Sequence, residues 1–99
     1  MPQYDVYPDP LGRGYLLDVQ TGLLSGLSTR IVVPLLPEAV APRPANRLNP
    51  VFRIDGDAHV MVTQFLSAVP QAILKSATGT LAQEAMTITS ALDMLTHGF

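Results

Sequence analysis

One stretch of this chain has helical periodicity, and it follows a long succession of short apolar runs broken by turn residues. Leu81, Ala85, Ile88, Leu92 and Leu95 recur at intervals of three and four, which places them on one side of a helix. Ala82 and Met86 form a second row beside that stripe, and an apolar face this wide suits packing on a sheet and on another subunit. Thr80 and Gln83 have capping-box spacing and predict the start of the helix, which then runs to about Thr96. Thr96-His97-Gly98-Phe99 follow, so a carboxylate, an aromatic ring and a titratable ring lie together at the helix exit. Such a tip is either an anchor tucked into the fold or a presented binding surface.

The segments before the helix read as strands. Tyr4–Tyr7 is a short strand, and 8–14, with two prolines and two glycines, is loop. Tyr15–Gln20 is a second strand with Leu17 and Val19 on one face. Arg30–Leu35 is β-branched and apolar, and its Pro34 predicts an edge, a bulge or the strand end. Asp55-Gly56 between Val51–Ile54 and Asp57–Thr63 predicts a hairpin, with Phe52 and Ile54 on one face and Ala58, Val60 and Val62 on one face. Phe65–Val69 and Gln71–Leu74 read as short strand pieces around Pro70. Pro37–Asn49 is a proline-containing surface loop that carries Arg43 and Arg47. Strands first and one helix last imply a mainly β or α+β fold, and 99 residues make a single domain, 1–99.

Bulk chemistry removes several function classes. The net charge is −2 and the six basic residues are scattered singly, so phosphate-driven nucleic-acid binding is disfavoured. There is no cysteine, hence no disulfide and no thiolate site, which fits the cytoplasm. The first residues lack the basic and apolar regions of a signal peptide, and the longest apolar run, Ile31–Leu36, is far too short for a membrane. Charged residues are 14%, against about 25% in an ordinary domain, which argues that a partner covers part of the surface. Small domains of this size commonly dimerise.

No catalytic constellation is legible. His59 lies mid-strand without triad partners and reads as a solvent-facing or half-buried strand residue. His97 suits the end of a helix, where an imidazolium meets the dipole. Two distant histidines and scattered carboxylates do not make a metal site, and no cofactor is implied. Gly12-Arg13-Gly14 precedes a strand and is not a phosphate loop. Leu23 and Leu24 lie in the Gly- and Ser-rich segment Thr21–Thr29. They are either a plug at the core edge or an exposed contact for a partner. The chain reads as a binding protein that acts through its loops and its C-terminus.

Taken together, several landmarks resemble one family. Asp18-Val19-Gln20, the paired Leu23-Leu24, Arg30-Ile31-Val32-Val33-Pro34-Leu35, Asn49-Pro50-Val51, Ser67-Ala68-Val69-Pro70 and Ala91–Leu95 before His97-Gly98-Phe99 resemble the CcdB toxins over nearly the whole chain. The resemblance implies an SH3-like antiparallel barrel with a C-terminal helix, the fold shared with the MazF and Kid toxins. It implies a homodimeric toxin of a type II toxin–antitoxin module, often serving plasmid maintenance. Such a toxin inhibits an enzyme and is not one: it poisons DNA gyrase by wedging against the A subunit. A CcdA-like antitoxin with a disordered segment neutralises it.

The family's gyrase contacts fall on Leu23, Leu24, Asp93, Thr96, His97, Gly98 and Phe99. Asp93 replaces an asparagine, Thr96 an aromatic, His97 a tryptophan and Phe99 an aliphatic residue. Arg13, Arg43 and Arg47 are the loop cations open to an acidic antitoxin segment. Two alternatives accompany this reading. One is a protein of the same fold that dimerises and meets an antitoxin without poisoning gyrase. The other is a MazF-type ribonuclease, which this acidic chain with its single lysine suits poorly.

Overall fold

In the computed structural model, which describes residues 2–99, a curled antiparallel sheet forms a half-barrel with one C-terminal helix packed on one of its faces. The expected mainly β fold with a C-terminal helix is the fold the chain adopts. Seven strands take part: β1 (Asp5–Pro8), β2 (Tyr15–Asp18), β3 (Thr29–Pro37), β4 (Val51–Ile54), β5 (Asp57–Met61), β6 (Ser67–Pro70) and β7 (Gly79–Thr80). Helix α1 spans Ala85–His97. The sheet order is β4-β5-β3-β2-β1-β7, and β6 pairs with β3 as well.

Strand alternation explains the two cores. Val6, Leu17, Val33 and Leu35 point to one face, where Phe52 and Met61 join them against Leu81, Ile88 and Ala91. Their neighbours Tyr7, Leu16 and Val32 point the other way and meet Leu74, with Val69 and Ile73 beside them. Leu17 and Val19 share the helix-side core, as the alternation predicts. Burying a side chain such as Ile88 stabilises the fold by about 1.5–3 kcal/mol, so the helix stripe anchors α1 to the sheet.

The long strand β3 joins the sheet together. Along one edge it pairs with β2 from Val32 to Leu35. Along the other it pairs with β6 from Thr29 to Val32 and with β5 from Leu35 to Pro37. Pro34 is therefore neither at an edge nor at a strand end, as its type predicts, but inside a nine-residue strand. It is tolerated because it falls in the gap between β6 and β5, where no ladder partner requires its missing N–H. Its carbonyl still accepts from Val62 N at 3.0 Å.

Local chemistry decides the turns. The β4–β5 hairpin closes on Asp55 and Gly56, both at positive φ (52° and 83°), as a two-residue turn of this type demands. Gly14, at φ 123°, lies so close to β3 that a Cβ would run into the Leu35 carbonyl. Two expectations fail. Gln71–Ile73 is a 3₁₀ turn, not a strand, because Gln71 N is taken by Ser28 O and Leu74 N folds back to Gln71 O. Thr63–Phe65 is likewise a 3₁₀ turn, and strand pairing begins only at Ser67. The capping box also fails. Thr80 pairs with Asp5 in β7, its hydroxyl takes the N–H of Ala82, and a 3₁₀ turn at Ala82–Glu84 precedes the helix proper.

Candidate functional site

The C-terminal tip is built by the way α1 ends. Gly98 adopts the left-handed conformation (φ 81°) and returns its N–H to the carbonyls of Asp93 and Met94, both at 3.1 Å. The cap is thus Gly98, and His97 is the last helical residue. Thr96 Oγ1 donates to Leu92 O at 2.9 Å and lies 2.9 Å from His97 Nδ1. The same ring nitrogen stands 4.0 Å from Asp93 Oδ1, one helical turn back. The His97 and Phe99 rings face each other at 5.8 Å and a tilt of 42°. Phe99 is 76% exposed, so the tip is presented and not tucked in.

Leu23 and Leu24 lie on a 3₁₀ turn, Gly22–Leu24, after β2. They do not plug the core: Leu23 is 92% exposed and Leu24 is 47% exposed. A depression beside the tip is lined by Arg47, Met86, Ser90, Asp93 and Phe99, and neither leucine belongs to it. The structure therefore gathers Asp93, Thr96, His97, Gly98 and Phe99 at one place and sets Leu23 and Leu24 on a turn of their own.

The three arginines have separate surroundings. Arg13 Nε donates to Asp9 Oδ2 at 2.9 Å, and Asp9 also caps the loop by accepting from Leu11 N. Arg43 is exposed on the long loop. Arg47 adopts positive φ (66°), which turns its guanidinium onto α1, 3.2–3.3 Å from Ser90 Oγ. It stands beside Asp93 and Phe99, two residues of the tip, and not beside Arg13 or Arg43.

Two arrangements have no counterpart in the sequence reading. The first is a buried ion pair. Arg30 Nε and Nη2 donate to the Asp18 carboxylate at 2.8 and 2.9 Å, both side chains fully buried. Arg30 Nη2 also donates to Gln20 O at 2.9 Å. The signal was an acid and a base at facing ends of two apolar strands, on the face that also carries Leu16 and Val32. The second is a polar cluster at the hairpin. Tyr15 Oη donates to Asp55 Oδ2 at 3.0 Å, and that bond raises the tyrosine's pKa. His59 is buried against the Tyr15 ring edge, 5.2 Å away, with Nδ1 2.9 Å from Asp57 O, so it is neither the solvent-facing nor the half-buried residue that its strand position suggested. Burial raises the Tyr7 pKa on the opposite face.

Among the described residues there is no cluster of His, Cys, Asp or Glu able to hold a metal ion, and no helix is long and apolar enough to cross a membrane. The tip and the leucine turn are two of the exposed apolar points that the surface offers, beside others such as Leu11, Val40 and Met86. No curated protein matches the chain. A family model described as CcdB protein matches residues 3–98.

Proposed function

As the chain belongs to the CcdB family of toxin–antitoxin toxins, which are not themselves enzymes, we propose that it poisons DNA gyrase by binding the A subunit. In this reading a cytoplasmic homodimer makes the contact through Leu23, Leu24 and the tip from Asp93 to Phe99. A CcdA-like antitoxin releases the block by binding the loops that carry Arg13, Arg43 and Arg47. Dimerisation is supported by the outer row of α1, where Met86 is 89% exposed, and a two-fold axis would double every contact.

The observation that carries the reading is the exposure of Leu23 and Phe99, large apolar side chains at family contact positions. Each would contribute about 1.5–3 kcal/mol if buried by a partner. His97 weakens the tip relative to the family's tryptophan, because cation–π attraction is best with Trp. The same substitution favours the second reading, a dimer that meets an antitoxin but not gyrase.

The test is cleavage-complex trapping with purified gyrase. We expect weak trapping by the wild type, stronger trapping by His97→Trp, and none after removal of His97, Gly98 and Phe99, with the truncated protein still folded because the core stripe is untouched. No trapping by either full-length form selects the second reading. Trapping that survives the truncation moves the contact to Leu23 and Leu24.

A further inference from the structure

The leucine turn has almost nothing of its own to hold it. Every residue from Thr21 to Thr29 is exposed, and even Leu24 and Leu27 are only about half covered, so no fully buried apolar side chain fixes the segment. Its internal bonds are short-range: Leu24 N to Thr21 O, Ser25 N to Gly22 O, Leu27 N to Leu24 O and Leu23 N to Thr21 Oγ1. These shape the turn but do not tie it to the sheet. At the far end of the segment Gln71 N holds Ser28 O. From outside the segment the Gln20 side chain reaches the leucine turn, where its Nε2 donates to Leu24 O at 3.3 Å.

Gln20 is itself fixed from three sides. Its Oε1 accepts from Ile31 N at 3.0 Å, at the entry to β3. Its backbone N–H donates to Asp18 Oδ1 at 3.1 Å, and its carbonyl accepts from Arg30 Nη2 at 2.9 Å. Its backbone is therefore held by the buried Asp18–Arg30 pair, and its side-chain amide bridges β3 to the exposed turn. A glutamine suits this place because the bridge needs an acceptor for Ile31 and a donor for Leu24 on one short planar group.

We propose that Gln20 is a positioning residue that sets Leu23 and Leu24 for their partner, so that the buried ion pair governs how the apolar turn is presented. The proposal rests on the reading that this turn contacts gyrase. Its energetic logic is preorganisation: a turn held in its bound position loses less freedom on association.

Two variants test it. Gln20→Glu keeps the acceptor for Ile31 but cannot donate to Leu24. Gln20→Met fills similar space and makes neither bond, and it carries the test if the buried carboxylate prevents folding as judged by circular dichroism. The first readout is amide hydrogen exchange. Exchange at Leu24, Ser25 and Leu27 should quicken several-fold while core amides such as Val33 keep their rates; a merely structural role would accelerate both together. The second readout is affinity for the purified gyrase A subunit, which should fall about fivefold, the equivalent of one net hydrogen bond. That loss should vanish in a Leu23→Ala/Leu24→Ala background. Unchanged exchange in both variants, or an equal affinity loss in that background, overturns the proposal. If wild-type protein does not bind the A subunit at all, the gyrase reading falls, and the exchange arm alone decides whether Gln20 is the clamp.

Discussion

Replacing Asp18 by asparagine should cost this fold a large share of its stability. The substitution keeps the shape and removes the charge, which leaves the Arg30 guanidinium fully buried opposite a neutral amide. Two charge-assisted bonds, at 2.8 and 2.9 Å, lose their anion. Breaking a buried pair from one side costs about 3–5 kcal/mol, against a total of about 5–15 kcal/mol for a typical domain. The chain has no tryptophan, so urea unfolding is best followed by circular dichroism. At an m-value of roughly 1.5 kcal/mol/M the midpoint should fall by about 2–3 M. The double variant Asp18→Leu/Arg30→Met should recover most of the loss, because a well-packed apolar pair is often as stable as the ions it replaces. A remainder of about 1–3 kcal/mol is expected, since Gln20 O loses its Arg30 donor and Gln20 N its Asp18 acceptor. A drop of less than about 1 kcal/mol for Asp18→Asn, or a double variant no better than the single, would refute the reasoning.

Gly14→Ala should destabilise by more than the usual effect of adding a methyl group, because the new Cβ meets the Leu35 carbonyl and φ is 123°; Gly12→Ala, also at positive φ but in open space, should cost less, and paired thermal melts compare the two. Stability should fall as pH rises through the ordinary tyrosine range. Tyr7, by burial, and Tyr15, through its bond to Asp55, have raised folded-state pKa values, so the unfolded chain gives up these protons first. Tyr15→Phe should flatten that decline between about pH 9 and about pH 11 in urea titrations.

The elements that local chemistry decides were legible before the structure. Asp55-Gly56 announces its hairpin because only a few residue types tolerate two consecutive positive φ angles. The helix announces itself through Ile88 and its neighbours, whose spacing is the spacing of the core face. What stayed hidden depends on residues far apart in sequence. Pro34 inside a strand makes sense only once β5 and β6 are seen to leave a gap opposite it. Thr80 looked like a helix cap, but its pairing with Asp5 takes it into the sheet. Asp18 and Arg30 look like two scattered charges until the β2–β3 register brings them together. The tip followed the same division. Its end at Gly98 is a local matter of backbone conformation. The placement of Arg47 beside it comes from a backbone turn on a distant loop, which no spacing in the sequence announces.

The central position of β3 also bears on how the molecule comes into being on the ribosome. Its partner β2 is made first, so a β2–β3 hairpin can form early, with Ile31, Val33 and Leu35 still uncovered. β5 and β6 follow, but the sheet cannot be completed until β7 arrives to meet β1, where Thr80 and Tyr4 stand 76 positions apart. The lid over the apolar face comes later still, with Ile88 and Ala91. Pairings of such long range are slow to form, and the waiting intermediate presents a sticky edge. Until the helix docks, a nascent chain of this kind is exposed to aggregation through that face. Whatever weapon it carries is armed only when the last third of the polypeptide has emerged.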